Sequence, residues 1–351
     1  GILMTEGCRG ESGILSNKDN YRYLQDYNLG PETPLGQPKN KHMELGPRDR
    51  LSQAFWQEEQ KGRTLNHPIW GSYVNLDLRH LGEDKINERL PFIRELAKAY
   101  VGVDPVYEPV PVRPTVHYTM GGIETDIYCA TSLAGLYAVG ECASSGLHGA
   151  NRLGSNSLAE LLVFGKVAGE HAATFAKEQQ HHDIDIILEQ AQLIKQRLLN
   201  QFKGDKSESI AIIREELGQT MEAGVGVYRT EEGIQATCDK IDELKVRLKN
   251  IKLHDDSSVF NTEWFSAIEL GFLIDIGQAM AHSALQRKES RGSHQRLDGY
   301  AERDDVNFLK HSLAYYQENK APKINYSSVK ITKSQPAQRV YGAAAEQKES
   351  T

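Results

Sequence analysis

The chain has no apolar run long enough to cross a bilayer. The nearest candidate, residues 270–281, is broken by Asp275, and a spanning helix needs about 20 apolar residues. Cysteine is scarce: Cys8, Cys129, Cys142 and Cys238 are scattered, with no CxxC pair. That excludes a disulfide framework and leaves no zinc or iron–sulfur ligand set, so no metal site is expected. The four thiols are expected as small packed hydrophobes in a reduced, cytosolic setting. Positive charge is not in excess: 41 Lys and Arg stand against 48 Asp and Glu, a formal net charge of -7. Nucleic acid is therefore not an expected partner. No internal repeat and no signal-peptide pattern is visible in the sequence as given. The opening Gly1-Ile2-Leu3-Met4 reads as the interior of a longer polypeptide.

What is present is 351 residues, enough for two or three domains and a large core. Residues 48–61 place Leu51, Ala54, Phe55 and Glu58 at helical spacing, with Gly62 as a stop. Residues 73–78 alternate, with Val74, Leu76 and Leu78 on one face of a half-buried strand. Residues 91–100 read as a helix with proline in its first turn, and the Pro-rich run 105–114 as an extended connector. Residues 135–141 read as a short buried strand ending in Glu141. It leads through a loop into a helix whose Leu158, Leu161, Leu162 and Ala168 are expected to face inward. Four long amphipathic helices follow (186–202, 207–221, 231–249 and 262–287) and are expected to form a small bundle. The third carries Ile234, Cys238, Ile241, Leu244 and Leu248 as one stripe, with Thr230 as N-cap. His181 and His182, beside Asp183, read as solvated surface, and residues 343–351 as a frayed tail.

Four clusters hold residues fit for chemistry. Thr5-Glu6-Gly7-Cys8-Arg9-Gly10-Glu11 sets a hydroxyl, two carboxylates and an arginine among glycines. Gly46-Pro47-Arg48-Asp49-Arg50 lies at a helix start. Taken alone, the first is a surface turn with a salt bridge and the second a helix cap. His117-Tyr118, followed by Gly121-Gly122, is either a core histidine at a strand end or an imidazole aimed at a dicarboxylate. His148 to Glu160 is a loop running into a helix, where free N–H groups and the positive dipole end suit an anion or a flavin ring. Arg9, Arg48, His117 and Arg152 together supply cations for a small dianion, and arginine keeps its charge when buried.

The strings TEGCRGE, GPRDR, RPTVHYTMGGIETD, GLYAVGECASSGLHGANRLGSNSLAEL, ESRGSHQR and ERDDVNFLKHSL, in this order, resemble the succinate dehydrogenase/fumarate reductase flavoprotein family over nearly the whole chain. Residues 21–45 and 76–103 look closer to fumarate reductase than to succinate dehydrogenase or L-aspartate oxidase. The resemblance implies an α+β fold. It comprises a capping domain (1–113), the closing segment of a Rossmann-like FAD domain (114–178), a helical bundle domain (179–290) and an extended C-terminal tail (291–351). It implies reduction of fumarate to succinate in anaerobic respiration. Arg48 would be the proton donor, Glu6 and Arg9 its relay, and His117, Arg152 and Thr5 the holders of the substrate carboxylates. FAD would meet His117, Tyr118, Glu141 and Arg152-Leu153-Gly154-Ser155-Asn156-Ser157-Leu158. An iron–sulfur subunit and, beyond it, membrane anchor subunits would be partners, with the chain peripheral on the cytoplasmic face of the bacterial inner membrane. ESRGSHQR and ERDD are candidate docking surface or, equally, intrachain salt bridges.

Two departures stand out. Ser12 occupies a position where the family usually has glycine. No GxGxxG fingerprint in a strand–turn–helix context occurs here. In the family that fingerprint and the histidine bonded covalently to FAD lie in the N-terminal half, so the chain reads as a C-terminal portion, inactive by itself. The alternatives are a succinate dehydrogenase flavoprotein, an L-aspartate oxidase, or, in another class, an inactive fragment or helical interaction module.

Overall fold

The computed structural model of the chain describes residues 2–179, 184–202, 206–255, 257, 259–333 and 335–337. His181, His182 and residues 343–351 lie outside them. The chain divides into two compact units, residues up to His117 together with those from Ile331, and Tyr118–Lys330.

The first unit opens with α1 (Glu6–Gly10) and β1 (Ile14–Ser16), then α2 (Arg48–Gln60), β2 (Leu65–His67) and β3 (Gly71–Asp77). It continues with α3 (Gly82–Arg89), α4 (Pro91–Val101) and β4 (Val110–Val112). β3 is the hub: it pairs antiparallel with β1, β2 and β4. Its Val74 and Leu76, with Leu78 just beyond its end, are buried, as period-two alternation predicts. They pack with Leu51, Ala54 and Phe55 of α2 and Ile93 and Ala97 of α4. Pro91 starts α4 and Gly102, left-handed, ends it, the asymmetry that proline and glycine impose on helix ends.

The Pro-rich run is not a plain connector, because it contains β4, with Pro111 paired to Asn75. Proline is tolerated there because a strand with one paired edge can lose an N–H on its other side. The core also holds a full charge. Glu58 is 0% exposed and accepts from Asn17 (2.9 Å), Arg63 (2.5 Å) and the Tyr27 hydroxyl. Burial raises its carboxyl pKa, but those three donors outweigh it and hold the group below its ordinary value, as donors to a carboxylate do.

The second unit contains β5 (Ile123–Glu124) and β6 (Ala143–Ser144), which pair in parallel, then α5 (Asn156–Glu178), α6 (Ile184–Gln201), α7 (Ile210–Val225), α8 (Glu231–Leu248) and α9 (Thr262–Gln286). The region expected as an extended tail carries α10 (Asp305–Phe308) and an antiparallel hairpin of β7 (Lys310–Tyr315) and β8 (Lys323–Ser328). The α8 stripe is buried throughout, against Ile213 and Leu217 of α7 and Leu270 and Ile274 of α9. Thr230 caps α8, accepting from the Gly233 amide at 3.1 Å.

Three expectations fail here. Residues 135–141 form no strand. Tyr137 makes one bridge, to Ala130, and Gly140–Cys142 is a 3-10 turn. A strand needs neighbours on its edges, and this segment bonds mainly back to residues 129–131. Leu158, Leu161 and Leu162 of α5 are exposed, and only Ala168 of the expected inward set is buried. Apolar periodicity marks a face that can be covered, not what covers it. Finally, α6 buries none of its own residues. It joins the bundle through Phe202, buried just beyond its end, and through the Leu198 carbonyl, which accepts from the Trp264 indole at 3.3 Å.

Candidate active site

In the first unit the two glycine-flanked clusters come together. Pro47 fixes an extended entry to α2 and places Arg48 at the helix's first position. A helical side chain leans back toward the N-terminus. The Arg48 guanidinium meets the Glu6 carboxylate, with Nη2 at 2.9 Å and Nε at 3.1 Å from Oε2. On its other side Arg48 Nη1 lies 3.0 Å from His117 Nε2. Arginine can only donate, so this ring nitrogen accepts and the proton sits on Nδ1. Arg9 Nη2 stands 3.9 Å from the same Glu6 oxygen, while Nη1 donates to the Glu44 carbonyl at 2.5 Å. Burial lowers the Arg9 pKa, Glu6 opposes that, and the like charge of Arg48 lowers it further.

The result is a row: Arg9, Glu6, Arg48, His117. Arg48 and Glu6 are about half exposed while the Arg9 side chain is largely buried. Glu44 supports the row from behind. Its buried carboxylate takes two bonds from Arg22, at 2.8 and 2.6 Å, and one from the Leu15 amide at 3.2 Å. Thr5, exposed at the N-cap position of α1, uses no side-chain bond for capping. Ser12, two residues beyond α1, has φ 89°, a conformation that glycine adopts freely and serine does not.

The second unit gathers the other predicted residues. The Arg152 guanidinium lies 4.4 Å above the Tyr118 ring, within cation–π reach. Tyr118 meets His148 edge-on at 5.5 Å. His148 Nε2 is 2.6 Å from Glu160, whose other oxygen accepts from the Ser145 hydroxyl at 2.9 Å. Glu160 is 3% exposed. Burial, then the carboxylates of Glu160 and Glu141, push the Tyr118 phenol up, and Arg152 pulls against them. Glu141 accepts from the Thr119 amide at 2.9 Å. Ser155, at φ 65°, precedes the first turn of α5 without capping it by its side chain. Among the described residues Arg152 Nε is buried without a partner.

Glu44 was not among the residues expected to matter, and Glu160 and Ser145, though inside the strings singled out, were given no role. One signal was available: Glu160 sits in an apolar stretch, a carboxylate on a helix turn otherwise made of leucine and alanine. Both candidate docking strings carry intrachain ion pairs. Glu289, fully buried, pairs with Arg287 (2.5 Å) and Arg291 (2.9 Å). Arg291 reaches Asp305 at 2.6 Å, and Arg296 reaches Asp298 at 2.5 Å. Charged strings read as surface because charge is usually solvated, and here the opposite charges close on each other.

Two family models match this sequence. One, described as the fumarate reductase flavoprotein C-term, matches residues 214–341, and an FAD binding domain model matches residues 1–158. The fumarate reductase flavoprotein subunit of a Serratia strain is 63% identical over 350 residues, covering 99% of this chain and 58% of that protein. That of Haemophilus influenzae is 63% identical over 349 residues, with the same coverages of 99% and 58%. A solved structure of a mutant Escherichia coli quinol fumarate reductase superposes with a TM-score of 0.92 at 61% identity, covering 97% of this chain and 58% of that one. The chain thus spans 58% of the length of these relatives.

Proposed function

The chain belongs to the succinate dehydrogenase/fumarate reductase flavoprotein family, and on that premise we propose that it supplies the substrate site and part of the flavin site of an enzyme that reduces fumarate to succinate. The observation that carries this reading is the row Arg9–Glu6–Arg48–His117, held at 2.9–3.9 Å spacings. A dicarboxylate needs fixed cations, and an alkene being reduced needs a proton donor beside them.

In this reading Arg48 gives a proton to one alkene carbon of fumarate while a hydride reaches the other. Arginine is a poor acid by its ordinary pKa. It serves when the transfer is late and its proton is restored at once. Glu6, bonded to Arg48, restores it, Arg9 in turn recharges Glu6, and a proton from bulk water restores Arg9. The lowered pKa of buried Arg9 makes that second transfer easier. His117 of the first unit and, separately, Arg152 of the second are the residues proposed to hold one substrate carboxylate. Thr5 bonds the other.

FAD, when bound, supplies the hydride. The residues fit an electron-rich ring edge: α5 is 23 residues long and no side chain caps its first turn, and the buried Arg152 Nε lacks a partner. Tyr118, Glu141 and Arg152 through Leu158 would hold it, Glu141 toward hydroxyls and the helix N-terminus toward developing negative charge. Electrons would come from an iron–sulfur subunit, with membrane anchors beyond. Among the described residues no helix is long and apolar enough to cross a membrane; by its likeness to the family the chain would sit as a peripheral subunit on the cytoplasmic face of the membrane.

Arg48→Lys in the intact flavoprotein subunit tests the proposal. Flavin content should be unchanged, and fumarate reduction should fall by about 10²–10⁴-fold, the usual worth of a placed general acid. Full turnover in that variant would end the assignment. The ratio of fumarate-reducing to succinate-oxidising rates with a common dye separates fumarate reductase from succinate dehydrogenase.

A further inference from the structure

The turn in ESRGSHQR reaches across the second unit to the loop that bears Arg152. The Ala150 carbonyl accepts from the Ser293 amide at 3.0 Å and from the Ser293 hydroxyl at 2.9 Å. Two donors occupy both lone pairs of one oxygen. The approach is possible only because residue 292 is glycine. Gly292 has φ +58°, and a Cβ there would lie 2.5 Å from the Ala150 oxygen.

This turn is rigid. Arg291 and His294 exchange backbone bonds of 2.8 and 3.0 Å. The Arg291 side chain is fixed by Glu289 and Asp305. His294 accepts from Arg229 at 2.8 Å and donates to the Arg287 carbonyl at 3.0 Å. The loop it touches is rich in glycine by contrast. Gly146 and Gly149 have positive φ, and Gly154 follows Arg152 by two positions. Each free glycine adds conformational entropy that ordering must overcome. The loop is tied on one side by His148 to Glu160 and on the other by Ala150 to Ser293.

We propose that Gly292 and Ser293 are positioning residues for Arg152: by fixing the Ala150 carbonyl two residues upstream, they aim the guanidinium over Tyr118, where it receives a substrate carboxylate. This rests on the dicarboxylate reading above. The turn touches neither substrate nor flavin; it acts through the loop.

The test uses the intact flavoprotein subunit carrying Gly292→Ala, Ser293→Ala or Ser293→Thr. Three quantities are measured: the malonate dissociation constant by calorimetry, kcat and KM for fumarate, and hydrogen exchange of amides 147–155 against those of α8. Gly292→Ala should weaken malonate about tenfold and raise KM by a similar factor, with a smaller change in kcat. Ser293→Ala should weaken malonate about threefold, the worth of one hydrogen bond, and Ser293→Thr should restore wild-type binding. In the weakened variants loop amides should exchange faster while α8 amides stay protected. Unchanged malonate binding in Ser293→Ala overturns the proposal, even if Gly292→Ala does not fold. So does equal loss of protection in the loop and in α8, which marks a general structural role. A wild-type subunit that binds no malonate would sink the dicarboxylate reading instead, and loop exchange in the variants would still report on the clamp.

Discussion

At the residue scale, strain and charge sit close to the proposed proton path. Ser12 follows α1 in a left-handed conformation that costs a non-glycine residue about 1 kcal/mol. Ser12→Gly should therefore stabilise the chain by a few tenths of a kcal/mol, roughly the relieved strain less the extra freedom of glycine when unfolded. Denaturant unfolding measures this. No gain would mean that the buried serine side chain repays its strain. The position was legible in advance, since a serine in a glycine slot marks a backbone under constraint. The contact of Arg48 with Glu6 was not legible. The two lie 42 positions apart, and no local spacing rule relates residues on separate elements. Only the resemblance joined them.

At the element scale, periodicity succeeded where an element buries one face inside its own unit. The α8 stripe and the Val74–Leu76–Leu78 face are of that kind. Periodicity misled for α5, where the same leucine spacing lies exposed, and proline hid β4. The braced turn at 291–294 is an element whose stability depends on pH. Burial, then the positive charge of Arg229, holds the His294 pKa at about 4; the bond to the Arg287 carbonyl opposes them, and the charges of Arg296 and Arg287 press downward. The reference imidazole value is 6.5. Between those pH values the unfolded chain binds more protons than the folded one. Stability contributed by a neutral His294 is thus complete above the unfolded value and is lost as pH falls toward about 4. The loss should reach about 3 kcal/mol. Denaturant unfolding of wild type and His294→Asn across that range isolates the effect: the wild-type curve should fall more steeply on acidification. Parallel curves would mean that His294 is protonated at no cost in the folded chain.

At the scale of the whole molecule, two cores form around separate element sets, one around β3 and one around α7, α8 and α9. The ring-facing candidates Tyr118 and Arg152 and the hydroxyl-binding candidate Glu141 are present, whereas the sequence carries no GxGxxG turn to cradle a pyrophosphate. The purified chain should accordingly show little or no visible flavin absorbance. Tight stoichiometric FAD would contradict that division of labour. The proton path is the claim on which the account turns, and Glu6 is its central link, bonded to one arginine and close to the other. The most direct measurement is steady-state fumarate reduction by the intact flavoprotein subunit carrying Glu6→Gln. Turnover should fall by about 10²–10⁴-fold with KM for fumarate nearly unchanged, because Glu6 feeds the donor and does not grip the substrate. Wild-type turnover in that variant would contradict the account.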